Sequence, residues 1–112
     1  MLKPYKISLN RIHDKVQITE GEERLLLTVE GDAARMVAAL TEAQKALKAL
    51  NNDSTEGEKQ QAALTFAQSI FGNAQAAKLV EFYRGDALCV IDVCGRYFSE
   101  RLAKLISKAQ KK

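Results

Sequence analysis

Apolar and polar residues alternate along the first third of the chain, which is the pattern of β-strands with one buried face. Residues 15–19 and 24–30 both place apolar side chains at every second position. Gly21 lies in the acidic segment between them and can adopt the positive φ that a tight turn requires. These segments predict a β-hairpin. The same alternation over residues 5–10 predicts a further strand, so the sheet would have two or three strands.

After Gly31 the apolar residues are instead spaced by three and four, which predicts amphipathic helices. Asp32 can cap the first helix, because its carboxylate accepts amide protons of the first turn. This helix ends before the polar linker that starts at Asn51. Its predicted apolar stripe consists of Ala33, Met36, Val37, Leu40, Ala43, Leu47 and Leu50.

A second helix is predicted from about Glu56 to Phe71, with Gly72 just beyond its C-terminus. Asn73 can cap a short third helix, which ends at Gly85. A last helix is predicted to start at Asp86 and to reach about Ser107.

The order of strands before helices predicts an α+β fold. We expect one domain over residues 1–112, with a β-rich part at 1–31 and about four helices at 32–112. A chain of 112 residues can bury such a core without disulfide or metal cross-links.

The two cysteines lie in the last helix and invite a metal or redox interpretation. Cys89 and Cys94 are five residues apart, so on a helix their side chains diverge by about 140°. On a strand they would point to opposite faces. Neither geometry suits a shared ion or a disulfide, and both residues are interpreted as core. The predicted buried stripe of this helix is Leu88, Ile91, Gly95, Phe98, Leu102, Leu105 and Ile106.

No constellation of catalytic residues is found in the sequence. His13, the only histidine, lies in an apparent turn beside Asp14, with no serine or cysteine placed near it. The glycines form no phosphate-binding pattern, and the acidic residues form no calcium or zinc motif. We therefore expect a protein without enzymatic activity and without cofactors.

Composition and charge narrow the class of protein further. A hydrophobic fraction of 46% with no run of about 18 apolar residues is typical of soluble domains. The N-terminal segment lacks the apolar core of a secretory signal, so we expect a cytoplasmic protein with reduced thiols. The net charge of +3 is concentrated in residues 96–112, which hold six basic residues and one acidic residue. The predicted basic face consists of Arg101, Lys104, Lys108, Lys111 and Lys112.

Two pairs of residues are candidates for contact with a protein partner. Asp92 lies among apolar residues, and Arg96 follows it by one helical turn, so the two can form a surface ion pair. Phe82 and Tyr83 are large, stiff side chains of the kind that dominate protein interfaces. Packing between the third and fourth helices is the alternative interpretation, chiefly for Phe82.

Residues 67–112, AQSIFGNAQAAKLVEFYRGDALCVIDVCGRYFSERLAKLISKAQKK, carry a resemblance to a known family. The segment IFG followed by a glutamine, the EFY that ends a short helix, the GD and the final lysine-rich amphipathic helix resemble tail assembly chaperones. These proteins are encoded near the tape measure protein in phages and prophages of Gram-positive bacteria. The N-terminal hairpin leading into a helix also fits this family.

The resemblance implies a helper protein in the cytoplasm of the bacterial host cell. Such a helper would bind the helical tape measure protein and also recruit tail-tube protein, and homo-oligomers are compatible with this role. A small nucleic-acid-binding domain that uses the basic face of the last helix is the alternative. Against it, the aromatic residues occupy apolar, core-like positions instead of lying between the basic ones.

Overall fold

The computed structural model describes residues 2–5 and 11–110, in which a β-hairpin is followed by a helical part. This arrangement confirms the predicted α+β fold. The strands are β1 (Arg11–Glu20) and β2 (Glu23–Asp32). The helices are α1 (Ala33–Lys48), α2 (Glu56–Phe71), α3 (Asn73–Phe82), α4 (Ala87–Tyr97) and α5 (Ala103–Gln110), and a π-helical turn (Phe98–Leu102) joins α4 to α5.

The hairpin is longer than the sequence pattern predicts. Its antiparallel pairs run from Arg11 and Asp32 at the open end to Glu20 and Glu23 at the turn. His13 therefore lies in β1, opposite Glu30, and its assignment to a turn is wrong. The apolar alternation does not reveal this part of β1, because the inward position after Ile12 is occupied by Asp14, which interrupts the run of apolar residues. Tyr5 is exposed and outside any strand, and residues 6–10 of the further predicted strand lie outside the described residues.

The β2 edge of the hairpin is covered at the rung formed by Lys15 and Thr28. There the side-chain amide of Gln75 accepts from the backbone N–H of Thr28 at 2.7 Å and donates to its carbonyl at 2.5 Å. Alternate residues of an antiparallel pair direct their backbone groups away from the partner strand. Gln75 thus binds groups that the hairpin itself leaves free.

The first two helices start at side-chain caps, whereas the third does not. Asp32 accepts from the backbone N–H of Ala34 and caps α1, as predicted. Thr55 and Glu58 form a reciprocal capping box at the start of α2. The predicted capping role of Asn73 is wrong, because Asn73 is the first residue of α3 and Gly72 precedes it without a side-chain cap. Gly72 has a φ of 83°, which lets α2 end and α3 begin within one residue.

The turn after α3 contains a strained residue. Arg84 has a φ of 55°, in the left-handed region that side chains other than glycine rarely adopt. Its N–H donates to the carbonyl of Glu81, and the N–H of Gly85 donates to that of Val80, each at 2.9 Å. These are the two bonds of a Schellman motif, in which the position of Arg84 usually holds glycine.

Replacing Arg84 with glycine is expected to raise the free energy of unfolding by about 0.5–1 kcal/mol. The left-handed conformation destabilises a non-glycine residue by about 1–2 kcal/mol, and the greater freedom of glycine in the unfolded chain offsets part of the gain. Chemical denaturation followed by circular dichroism measures the difference. Arg84→Ala keeps the strain and serves as the control. Glycine and alanine variants of equal stability would contradict this account of the turn.

The π-helical turn shifts the buried face of the last helix by one residue. In an uninterrupted α-helix Tyr97 and Leu102 would lie about 140° apart, yet both are buried. A π turn accommodates one extra residue, which brings them to the same face. The predicted stripe is therefore correct at Leu102 and Ile106, and Ile91, Phe98 and Leu105 are partly buried against the same core. It is wrong at Leu88, which is exposed, and Gly95 is only partly buried. The residues buried instead are Ala87, Val90, Cys94 and Tyr97.

Helix α2 lies at the centre of the helical part and packs against α1, α3 and α4. The inner face of the hairpin adds Ile12, Leu27 and Val29 to the same core. Val37, which the sequence placed in the core stripe of α1, is exposed. None of the helices in the described part of the chain has both the length and the apolar character needed to cross a membrane.

Candidate protein-binding site

The turn between α3 and α4 brings the predicted partner-binding residues together. The rings of Phe82 and Tyr83 meet edge to face, with centroids 5.1 Å apart, and both side chains are partly buried. Burial raises the pKa of the Tyr83 hydroxyl, and the negative charges of Glu20 and Asp92 add to this effect. Glu20 ends β1, so the tip of the hairpin lies near the same residues.

Asp92 and Arg96 form the predicted ion pair one helical turn apart on α4. Nε of Arg96 donates to Oδ1 of Asp92 at 3.3 Å, and the two side chains are 72% and 61% exposed. An exposed pair of this kind contributes little to stability. Its charges remain available to a partner.

Leu88 extends this surface and was missed by the sequence pattern, which placed it in the core. Its side chain is 71% exposed and lies one helical turn before Asp92 on α4. The sequence pattern does not show the exposure of Leu88, because the π turn sets which face of α4 is outward. Phe82, Tyr83, Leu88, Asp92 and Arg96 are together called the corner surface.

A groove lies beside the corner surface, between the start of α2, the end of α3 and the start of α4. It has a volume of about 350 Å³. Nε2 of Gln60 donates across it to the carbonyl of Gly85 at 3.2 Å. The groove is lined by Gly57, Gln60, Gln61, Ala63, Leu64, Val80, Gly85, Ala87 and Val90.

A larger cleft, of about 450 Å³, lies at the open end of the hairpin. Its charged lining residues are of both signs, namely Arg11, Arg35, Glu30 and Asp32. No hydrogen-bonded catalytic pair spans it among the residues described, and we assign it no chemistry.

Asp14, Tyr97 and Arg101 form a polar cluster that joins β1 to the last helix, with Asp14 and Tyr97 buried and Arg101 exposed. The hydroxyl of Tyr97 donates to Oδ2 of Asp14 at 2.8 Å. Arg101 adds two bonds, from Nε to Oδ2 at 2.5 Å and from Nη2 to Oδ1 at 2.8 Å. The carboxylate is 7% exposed, whereas the guanidinium side chain is 60% exposed.

The electrostatics of this cluster indicate a structural role. The hydrogen bonds from Arg101 hold the pKa of Asp14 below its usual value, against the opposing effect of burial. Burial and the bond to Asp14 raise the pKa of Tyr97 far above its usual range. The carboxylate therefore stays ionised and the phenol stays neutral at physiological pH. Neither group is suited to exchange a proton with a substrate.

The Asp14 cluster removes one residue, Arg101, from the unpaired charges of the predicted basic face. Arg101 is bound to Asp14, so its charge is already neutralised. Lys104 and Lys108 are exposed as predicted. Lys111 and Lys112 lie outside the described residues.

The two cysteines are free, and their environments differ. Cys94 is fully buried, and burial raises the pKa of its thiol to about 12. Cys89 is partly exposed, and its Sγ donates to the Asp86 carboxylate at 3.4 Å, which raises the pKa of this thiol too. Within residues 2–5 and 11–110 no three metal-ligating side chains cluster.

A thiol reagent is expected to modify Cys89 in the folded protein and to leave Cys94 unmodified. Burial keeps the Cys94 thiol protonated at pH 8 and denies the reagent access to it. Mass spectrometry after timed alkylation counts the modified sites, and Cys89→Ser is the control that removes the reactive one. Rapid modification of both thiols in native protein would contradict the burial of Cys94.

Comparison of the chain with protein-family models, curated proteins and solved structures finds no match. The geometry of the corner surface is therefore the evidence for a binding site. This surface offers apolar contact area beside the exposed Asp92–Arg96 pair, which suits the binding of a protein segment.

Proposed function

We propose that this protein is a non-enzymatic helper that binds a helical segment of another protein through its corner surface. The observation that carries the proposal is the exposure of Leu88, at 71%, one helical turn before Asp92, whose charge acts on the partly buried Tyr83. The resemblance to tail assembly chaperones supports a tape measure protein of a phage tail as the partner. A tail-tube protein is the other partner that this resemblance implies.

The composition of the corner surface matches what protein interfaces use. Burying a leucine side chain on binding contributes about 1.5–3 kcal/mol. Tyrosine adds a rigid apolar ring with a polar end, and is among the residues that most often dominate binding energy. The Asp92–Arg96 pair lies at the rim, where charges set orientation and the rate of association more than affinity.

The spacing of the outward residues favours a helix as the ligand. Leu88, Asp92 and Arg96 follow each other at intervals of four along α4. Such a row forms a ridge beside which the side chains of a second helix can pack. A partner helix would bind with residues at intervals of three and four, as amphipathic ligands commonly do.

Co-expression with the tape measure protein encoded in the same gene cluster tests this function. We expect the tape measure protein to become soluble and to co-purify with this chain. Leu88→Ala combined with Tyr83→Ala should reduce the co-purified amount severalfold. Leu26→Ala is the matched control, because Leu26 is 63% exposed but lies on the outer face of β2.

Two results would count against the proposal. If the tape measure protein stays insoluble while this chain is folded, the chaperone function is wrong. If the double variant and the Leu26 variant bind equally well, the corner surface is not the site. Salt-sensitive retention of DNA by the purified chain would instead favour the nucleic-acid alternative.

A further inference from the structure

A further groove lies between α1 and the segment formed by the π turn and α5, and it shares no residue with the corner surface. The two helices pack against each other, and the groove between them has a volume of about 280 Å³. Of its lining residues, Leu40 and Ile106 are buried, whereas Val37 is 37% exposed. Most of the lining side chains are apolar and can therefore cover apolar side chains of a ligand. This α1–α5 groove is lined by Val37, Leu40, Thr41, Gln44, Phe98, Ala103, Ile106 and Ser107.

The α5 side of this groove carries positive charge. A second cavity, of about 370 Å³, continues the groove along α5, since Ala103 and Ser107 line both. The other residues that line this second cavity are Lys104 and Lys108, and both are exposed. Neither lysine takes part in the ion pairs formed within the described part of the chain. No acidic residue lines either cavity.

The acidic residues next to the groove in sequence do not pair with these lysines. Glu42, on α1, is bound to Lys45, with Nζ 3.2 Å from Oε1. Glu100 lies in the π turn, four positions before Lys104, and no ion pair joins Glu100 to Lys104. A ligand in the groove would therefore meet apolar side chains together with two cations whose charge is available.

From this combination we infer that the α1–α5 groove binds an acidic amphipathic helix of a partner protein. The apolar side chains of that helix lie in the groove, and its carboxylates lie opposite Lys104 and Lys108. A groove between two packed helices has the shape that an amphipathic helix fills. The lysines steer an acidic helix into place and disfavour a basic one. The inference goes beyond the proposed function, because it assigns a ligand to a different surface.

Nucleic acid and a second copy of this chain are poorer occupants. Nucleic-acid interfaces are polar and strongly cationic, whereas here two lysines border an apolar groove and Arg101 is already bound to Asp14. A second copy offers Leu88 as an exposed apolar residue on a helix, but the charges that follow it on α4 are paired with each other.

Val37→Asp is the variant that tests the apolar part of the groove. It replaces a partly exposed apolar side chain with a carboxylate, which contributes no apolar contact and repels an acidic helix. Ala38→Asp is the matched control, because it places the same charge on the next residue of α1, which is exposed and lies outside the groove. Circular dichroism of both variants verifies that they fold.

Lys104→Glu combined with Lys108→Glu tests the charge. Both lysines are exposed, so the double variant should keep the circular dichroism spectrum of the original chain. Lys15→Glu combined with Lys78→Glu is the matched control. It changes the net charge equally at two exposed lysines, one on β1 and one on α3, that do not line the groove.

Two labelled helical peptides with the same stripe of leucine and alanine provide the measurement, one flanked by glutamates and one by lysines. Titration with the full chain, followed by fluorescence anisotropy, should show the glutamate peptide binding at least about tenfold tighter, with binding weakened by salt. Val37→Asp should weaken binding of this peptide by more than about tenfold, and Ala38→Asp by less than about twofold. The Lys104/Lys108 double variant should reverse the preference between the peptides, and the Lys15/Lys78 double variant should keep it.

The inference is overturned if the glutamate peptide does not bind, if the two peptides bind equally, or if Val37→Asp binds like the original chain. Retention of duplex DNA that depends on Lys104 and Lys108, by a chain that does not bind the glutamate peptide, would assign these lysines to phosphate contacts instead. Self-association that is lost in the Lys104/Lys108 double variant and that competes with the peptide would make a second copy the occupant.

The same titration separates this inference from the proposed function. Leu88→Ala combined with Tyr83→Ala alters the corner surface only, so it should leave binding of the glutamate peptide unchanged. Equal weakening by this double variant would place the peptide on the corner surface and refute the groove. If the tape measure protein fails to co-purify with the original chain, the proposed function is wrong, while the peptide titration still decides the groove.

Discussion

Replacing Asp14 with alanine is expected to lower the free energy of unfolding by about 2–4 kcal/mol. The substitution removes a carboxylate that is 7% exposed and leaves the buried hydroxyl of Tyr97 without its acceptor. It also releases Arg101, and with it the polar connection between β1 and the last helix. Urea denaturation followed by circular dichroism and by tyrosine fluorescence measures the loss.

The Asp92–Arg96 pair provides the matched control for this prediction. It is also an aspartate–arginine pair, but both of its side chains are more than half exposed. Asp92→Ala should therefore change the free energy of unfolding by no more than about 0.5 kcal/mol. If the two alanine variants were equally stable, the Asp14 cluster would contribute no more than a surface ion pair.

The Asp14 cluster also sets a pH dependence. The pKa of the Asp14 carboxyl is lower in the folded protein than the ordinary value of 3.8. The folded state therefore binds a proton at Asp14 less readily than the unfolded state does. The contribution is complete above the unfolded-state pKa and is lost as the pH falls through the folded-state pKa. We expect the original chain to lose more stability below about pH 4 than Asp14→Asn, which has no proton to bind there. Parallel acid titrations of the two proteins test this.

Leu102→Ala should lower the free energy of unfolding by about 3–4 kcal/mol, whereas Leu88→Ala should change it by no more than about 0.5 kcal/mol. An unbroken α-helix would bury both leucines in one stripe. The π turn instead leaves Leu102 fully buried and Leu88 mostly exposed. Alanine at position 102 leaves a cavity in the core, while alanine at position 88 removes a side chain that is mostly in water.

Denaturation of the two alanine variants under identical conditions is the measurement, and Ile106→Val provides an intermediate reference. A large loss of stability for Leu88→Ala would show that α4 buries the opposite face. The position of the π turn would then be wrong.

The sequence predicts most of the secondary structure because the signals for it are local. Strand alternation, helical spacing and capping residues act within a few positions, so the cap at Asp32 is predicted correctly, and the last helix begins next to Asp86 as predicted. The hairpin and the extent of α2 follow from the same kind of signal. The pairing of Asp92 with Arg96 was also predictable, since it depends only on the geometry of one helical turn.

Two features could not be predicted, because they depend on contacts between distant residues. Asp14 is separated from Tyr97 by 83 positions and from Arg101 by 87. No local pattern shows that a carboxylate on the inner face of a strand will meet them. The π turn is equally hidden, because it is visible only as a change in which residues face the core. The exposure of Leu88, and with it the corner surface, follows from that change.

The covered rung at Lys15 and Thr28 bears on how the protein behaves when it is abundant. A sheet of two strands has no interior strand, and unpaired edges are templates on which other chains can add strands and aggregate. Here the amide of Gln75 replaces the backbone of a neighbouring strand at the β2 edge. An incoming strand would have to displace this amide in order to pair along the full length of that edge. The side chain that fastens the hairpin to α3 thereby also hinders the addition of strands there.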